Sequence, residues 1–154
     1  MELSFTSLEN YISMDKIDKI KINYYSLLNQ LKESDVPNDE TFKKYINIIH
    51  KSGIIYVCFI YVNGEKKMIG TCTGLIEYKL LHGCSKICHI EDVVVDKEYR
   101  NKNICSKLIK MMIEYAFEKK CYKLILNCDE KLDDFYKKLQ FKNEGSYMVY
   151  RFEN

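Results

Sequence analysis

Residues 88–106 concentrate the chemistry of this chain: Cys-His-Ile-Glu-Asp-Val-Val-Val-Asp-Lys-Glu-Tyr-Arg-Asn-Lys-Asn-Ile-Cys-Ser. An apolar, strand-like run is interrupted by two adjacent carboxylates, Glu91 and Asp92. Successive side chains on a strand face opposite sides of the sheet. In a central strand at most one of the pair faces outward. The other then needs a hydrogen-bond partner or a ligand, because an unpaired buried charge is costly. On an edge strand both are simply solvated, or cap a bulge, and residue types alone leave the two readings level. After Val95 the chain turns through polar residues and enters a helix near Ile104. Free N–H groups at a helix start, with the helix dipole behind them, attract anions. Arg100 and Lys102 add positive charge there, although a turn of this kind often only connects elements.

Cys105 falls in the first turn of that helix, near the two cations. Such a thiol is expected to have a depressed pKa and to react faster than the other six. The competing reading is an ordinary small core residue. The seven cysteines, Cys58, Cys72, Cys84, Cys88, Cys105, Cys121 and Cys128, form no CxxC pair and no zinc spacing. Cys121 and Cys128 lie an odd number of residues apart on one expected strand and so face opposite sides. Free thiols in a reducing, cytoplasmic setting follow. His89, on an apolar strand, reads as a satisfied core histidine, and His50 and His82 as surface residues. Lys137 and Lys138 read as a solvated helix face.

The elements that must position these groups follow from hydrophobic periodicity. A short strand is expected over 2–8 and a helix over about 15–32, with Ile17, Ile20, Tyr24, Leu27, Leu28 and Leu31 at helical spacing. A second helix starts near Pro37, carries Phe42, Tyr45, Ile46 and Ile49 on one face, and ends at Gly53. Two β-branched and aromatic runs, 54–62 and 68–79, flank Asn63-Gly64, a strong hairpin signal. A loop at 80–86 leads to a strand over 87–95, an amphipathic helix over 104–117, a strand over 122–128, a helix over 132–139 and a final strand over 146–152. Tyr147 and Tyr150 are expected to pack on that strand or at a dimer contact. Strand–helix–strand alternation beside a hairpin implies an α/β fold with a mixed sheet.

At 154 residues the chain fits one domain, 1–154. It is long enough to bury a core without disulfides or metal. Hydrophobic residues at 47% and charged residues at 30% exclude wholesale disorder. A net charge of +2 excludes a general nucleic-acid or membrane-surface binder. No leader-like start and no bilayer-length apolar run occur, so a cytoplasmic protein with no membrane partner is expected.

Three blocks carry a likeness to a known family. They are His89-Ile90-Glu91-Asp92-Val93-Val94-Val95 with Tyr99-Arg100; Cys121-Tyr122-Lys123-Leu124-Ile125-Leu126; and Cys128-Asp129-Glu130-Lys131 with Phe135-Tyr136-Lys137-Lys138 and Phe141. They resemble the acetyl-CoA site of the GNAT acetyltransferases, and more closely the glucosamine 6-phosphate N-acetyltransferases. The resemblance is strong over about 79–152 and thin over the first 50 residues. It implies the GNAT (acyl-CoA N-acyltransferase) fold: a mixed, mostly antiparallel sheet flanked by helices, with a splay between two central parallel strands. It implies acetyl-CoA as co-substrate, with no metal, and glucosamine 6-phosphate as acceptor. Backbone groups of Val93, Val94 and Val95 would pair with the pantetheine arm. The turn and helix start, Arg100, Asn101, Lys102, Asn103, Ile104, Cys105 and Ser106, would hold the pyrophosphate, with Asn127 nearby. Tyr136 would line the cofactor site and act as the acid toward the leaving thiolate. Glu91 and Asp92 would orient the amine and help remove its proton, without a covalent enzyme intermediate. Lys79, His82, Glu91, Asp92, Val93, Tyr122, Lys123 and Arg151 would form the amino-sugar phosphate site. The family's enzymes are intertwined homodimers.

The family's pyrophosphate turn reads Arg-x-x-Gly-x-Gly or Gly-x-Ala, where this chain has Arg100-Asn101-Lys102-Asn103-Ile104-Cys105. Asn103 tolerates the left-handed conformation that glycine supplies, whereas Cys105 gives phosphate oxygens less clearance. Asn127 stands where an acidic residue is often found. Two alternatives remain at this level: a GNAT enzyme for another amine (peptide, lysine or polyamine), and a catalytically impaired acyl-CoA-binding module.

Overall fold

The computed structural model describes residues 2–152. Five strands line up in chain order: β1 (Ser4–Ser7), β2 (Gly53–Val62), β3 (Glu65–Tyr78), β4 (Lys86–Val95) and β5 (Cys121–Leu126). The first four pair antiparallel, and β4 pairs parallel with β5. The β2–β3 turn is Asn63-Gly64, with both residues at positive φ (51° and 80°). This is the twist that a two-residue hairpin requires.

Helices α1 (Leu8–Ile12), α2 (Ile17–Leu28) and α3 (Asp39–Ser52) precede β2. The Asn38 side chain caps α3 by accepting from the Thr41 N–H at 2.8 Å, so Pro37 lies just outside the helix it announces. The short α1, capped by Ser7, was not expected from periodicity, since five residues hold barely one turn. Between β3 and β4 the expected loop contains a helical turn, α4 (Leu81–Cys84), with His82 and Gly83 in left-handed conformations. Helix α5 (Ile104–Glu118) crosses from β4 to β5, and α6 (Asp133–Lys138) follows β5 after a 3-10 turn at Glu130–Leu132.

The sheet carries an apolar layer on each face. On one face Cys58, Cys72, Cys88 and Ile90 pack with Leu108, Ile109 and Met112 of α5. On the other, Val57, Met68 and Val94 pack with Ile20 and Leu27 of α2 and with Phe42 and Ile46 of α3. Burying these side chains is the main drive for placing helices on both sides of the sheet.

Two expectations need correction here. No strand forms over 146–152: the segment lacks ladder pairing, and Tyr147, Met148, Tyr150 and Phe152 are exposed. Their alternation reads as a strand, but a strand also needs pairing, and this segment does not pair with β5. β5 is therefore the outermost strand. His50, expected at the surface, is half-buried with Nδ1 3.3 Å from Glu9 Oε2.

Candidate active site

The site grows from an irregularity in β4. Thr73 of β3 pairs with Glu91, and Thr71 pairs with Val94. One β3 residue, Cys72, therefore stands opposite two β4 residues, Asp92 and Val93. This is a β-bulge, and Asp92 takes φ 49° to make it. Asp tolerates that left-handed conformation better than most residues. The extra residue resets the alternation. Glu91 shares the side of Thr73, facing α2 and α3, and Asp92 borders a cavity lined by Tyr24, Tyr25 and Thr73 on that same side. The strict alternation expected of adjacent strand residues thus fails here, and both carboxylates serve one face. Both are exposed. Desolvation still raises the Asp92 carboxyl above its ordinary value, as its position beside the aromatic wall requires.

The bulge also marks where β4 and β5 part. Their ladder ends at Ile90 with Leu126, while β4 runs on to Val95. A cavity of about 580 Å³ opens beyond the parting, lined by Val93, Val94, Val95, the start of α5 and Tyr136 of α6. Val93–Val95 thus border the opened side of β4. At the cavity rim Asn103 caps α5 in the left-handed region (φ 58°, ψ 15°) without a side-chain capping bond. This is the conformation expected of a residue standing in for glycine. The first N–H groups of α5 have no partner within the helix, which leaves them for an anion. Arg100, Asn101, Ile104, Cys105 and Ser106 line the same cavity. Arg100 Nε donates to the Val95 carbonyl at 3.2 Å. Lys102 lies over the Tyr99 ring, 5.5 Å from its centroid, and does not line the cavity. Asn127 is exposed just past β5 and also lies outside the lining.

Tyr136 is only 7% exposed. Its ring packs edge-on against Phe135 and Phe141. Burial, then the neighbouring Cys105, Cys128 and Cys72 thiols, push the phenol well above its ordinary value. It therefore stays protonated near neutrality, and the residue lines the cavity.

Cys105 departs from the sequence expectation. Burial pushes its thiol up to about 11 instead of depressing it. The side chain packs against the apolar layer beneath α5, where desolvating a thiolate costs more than the helix start returns. Arg100 and Lys102, the expected cations, are directed to the Val95 carbonyl and the Tyr99 ring.

The expected phosphate ligands are gathered only in part. His82 stacks near Tyr122, with ring centroids 4.7 Å apart, and Lys123 Nζ lies 5.7 Å from the Tyr122 centroid. Lys79 is paired with Glu77, so its charge is already answered. Arg151 is exposed in the C-terminal segment and makes no ion pair among the described residues.

Several lining residues escaped sequence reasoning. Gln30 and Leu31, in the turn that follows α2, wall the larger cavity, and Gln30 Oε1 accepts from the Lys97 N–H at 2.9 Å. Lys138 lines it too, whereas Lys137 pairs with Asp133. A second cavity of about 290 Å³ lies between α2, α3 and the sheet, with Tyr25, Tyr45, Phe42 and Thr73 around Asp92. These contacts are long-range, and only the shared aromatic face of α2 and α3 hinted at them.

The model of the Acetyltransferase (GNAT) family matches residues 21–141, which takes in the splayed strands, the α5 start and Tyr136. The chain belongs to the GNAT acetyltransferase family. It is 33% identical to the glucosamine 6-phosphate N-acetyltransferase of Arabidopsis thaliana over 144 residues, covering 90% of this chain and 97% of that one. The Dictyostelium discoideum glucosamine 6-phosphate N-acetyltransferase 1 is 32% identical and covers 89% and 85%. Among solved structures, the Arabidopsis thaliana enzyme superposes with a TM-score of 0.87 at 31% identity, over 99% of this chain and 100% of that one. A Trypanosoma brucei acetyltransferase superposes with a TM-score of 0.86 at 26% identity, over 98% and 100%. The GNAT fold expected from the three sequence blocks is the fold found, with its parallel pair and flanking helices. As a GNAT enzyme the chain is an acyltransferase that draws on acetyl-CoA, and the larger cavity is lined by the start of α5 and by Tyr136.

Proposed function

We propose that this GNAT enzyme transfers the acetyl group of acetyl-CoA to the 2-amino group of glucosamine 6-phosphate, giving N-acetylglucosamine 6-phosphate. The observation that carries the reading is the bulge at Asp92. It brings two carboxylates to one face of the sheet at the point where β4 leaves β5 and the larger cavity opens, which supports an acceptor site there. Identity of 32–33% to two glucosamine 6-phosphate N-acetyltransferases, over about nine-tenths of this chain, supports it.

In this reading Glu91 and Asp92 hold the acceptor nitrogen and favour its orientation toward the thioester. The opened backbone at Val93–Val95 holds the pantetheine arm, and the α5 start from Asn101 to Ser106, with Arg100, holds the pyrophosphate. A neutral amine attacks the thioester carbonyl directly, so positioning supplies much of the rate. Tyr136 donates a hydrogen bond to the sulfur as it leaves. Because its phenol is harder to ionise than usual, the hydroxyl stabilises the thiolate chiefly as a donor, and the final proton comes from the amine. His82, Tyr122 and Lys123 meet the sugar phosphate, with Arg151.

The exposed apolar run Tyr147–Phe152 supports a homodimer in which this segment lies against a second copy and brings Arg151 to the acceptor site. Seven free thiols support a reducing, cytoplasmic setting. The product suits a precursor of UDP-N-acetylglucosamine.

The test is coenzyme A release with glucosamine 6-phosphate, glucosamine and a peptide amine side by side. Strong preference for the phosphorylated sugar is expected. Equal turnover of the peptide amine would overturn the acceptor assignment.

A further inference from the structure

One titratable group on the acceptor face is used by neither the carboxylate pair nor Tyr136. His89 precedes Glu91 by two positions on β4. It pairs with Leu75 while Glu91 pairs with Thr73, so both residues face the same side. Two residues of strand span about 6.6 Å, a gap that one water can bridge between side chains. His89 is also not the sealed core residue its apolar strand implies. Its side chain is 31% exposed, and its Nε2 lies 2.5 Å from Glu77 Oε2 on β3.

Glu77 is itself held, since Lys79 pairs with its other oxygen. Lys79, and then His89, keep the Glu77 carboxyl below its ordinary value, so it remains an anion. An ionised carboxylate only accepts hydrogen bonds. The contact therefore fixes the proton of the neutral imidazole on Nε2 and leaves Nδ1 as an acceptor. It also supplies the charge that an imidazolium needs.

The ammonium form of the acceptor cannot attack a thioester until a proton leaves. We propose that His89, oriented by Glu77, accepts that proton by way of Glu91 or a water beside it and passes it to solvent. The ammonium N–H bond breaks, a new N–H bond forms at Nδ1, and the electron pair left on the amine forms the bond to the acetyl carbon. Glu77 neutralises the imidazolium until the proton is released, as carboxylates do for other catalytic histidines. The charged groups on the face of His89 are Glu77 of β3 with Lys79 just beyond it, Glu91 and Asp92 of its own strand, and Lys123 of β5. They are three carboxylates against two ammonium groups, a surplus of negative charge that suits an imidazolium. The proposal rests on the acetyltransferase reading above.

The experiment follows coenzyme A release from glucosamine 6-phosphate between about pH 6 and about pH 9.5, for the unaltered enzyme, His89→Gln and Glu77→Gln. Acetyl-CoA affinity and Tm are measured alongside. Near the acid end kcat should fall about 10–100-fold in His89→Gln, with acetyl-CoA affinity held. The deficit should shrink toward zero as alkali deprotonates the amine without help. Glu77→Gln should show the same slope with a smaller deficit. A deficit equal at every pH, or no deficit in either variant, overturns the relay. An unaltered enzyme that binds acetyl-CoA yet releases no coenzyme A with the sugar overturns the acceptor reading and the relay with it.

Discussion

Gly70 of β3 and Ile104, the first residue of α5, meet with no side chain between backbone and helix. A Cβ on Gly70 would lie 2.9 Å from Ile104 Cγ2 and 3.3 Å from Leu108 Cδ1. Both neighbours are buried, at 2% and 0% exposure, so neither can swing away cheaply. Gly70→Ala is expected to destabilise the fold by about 1–3 kcal/mol. It should also push the start of α5 away from the cofactor cavity and weaken acetyl-CoA binding. Denaturant melts and calorimetric titration check both effects. Unchanged cofactor affinity would show that the helix start does not answer to this contact.

Tyr136→Phe should lower kcat by about 100-fold, the lower range for removing one hydrogen-bond donor from a developing anion, while acetyl-CoA affinity and Tm change little. The phenol's raised pKa adds a pH expectation: the rate should show no loss from tyrosine ionisation between neutrality and the ordinary phenol range. Steady-state kinetics beside direct cofactor binding separate the two quantities. Equal turnover would remove Tyr136 from the chemistry.

Thiol reactivity should follow exposure and not helix position. Cys84 and Cys128 are exposed and should alkylate first. Cys105, with its thiol pushed up to about 11 by burial, should label slowly at neutral pH and more slowly still when acetyl-CoA fills the cavity it lines. Mass spectrometry of a timed alkylation reads this order directly. Rapid labelling of Cys105 would restore the expectation drawn from its place in the helix.

Alkaline pH should unfold the protein early. Desolvation raises the thiols of Cys88 and Cys105 to about 11 and Cys58 to about 12, from an ordinary 9.0. It raises the Tyr11, Tyr24 and Tyr115 phenols to about 12, from 10.0. In each case the folded state holds the proton more tightly, so the unfolded chain ionises first. The associated stability is complete below about pH 9 and is lost as pH rises through the folded values. Tm should therefore decline across that interval, gently where thiols titrate and more steeply once tyrosines join. A flat Tm across it would place these groups in contact with water.

Much of this architecture is legible in the residues. The Asn63-Gly64 turn, the amphipathic stripe of α5 and the left-handed position of Asn103 each depend on local chemistry, and each is found where local chemistry puts it. The bulge is different. It arises from the register between Thr71–Thr73 and Glu91–Val94, residues about twenty positions apart, and nothing near Asp92 announces it. Cys105 misled because the helix start and the nearby cations are visible in sequence, while the apolar layer beneath the thiol is assembled from β2, β3 and β4. Residues 146–152 misled for the opposite reason. Their alternation is a valid strand pattern, but the pattern says nothing about whether the segment reaches the edge that β5 leaves open. Gln30 and Leu31 reach the larger cavity only because α2 ends beside the β4–α5 connection, where Gln30 accepts from Lys97.

The extra residue in β4 has a consequence for inheritance. Exchanging one amino acid for another at position 92 alters a functional group but leaves the count of residues between Thr71 and Thr73 and their partners intact. Losing the codon for Asp92 restores one-to-one pairing, with Val93 alone opposite Cys72, so Val94 and Val95 keep their layers while the bulge and its second carboxylate on the Glu91 side disappear. Drift by point mutation can retune this acceptor face, whereas a single in-frame deletion would dismantle it at a stroke.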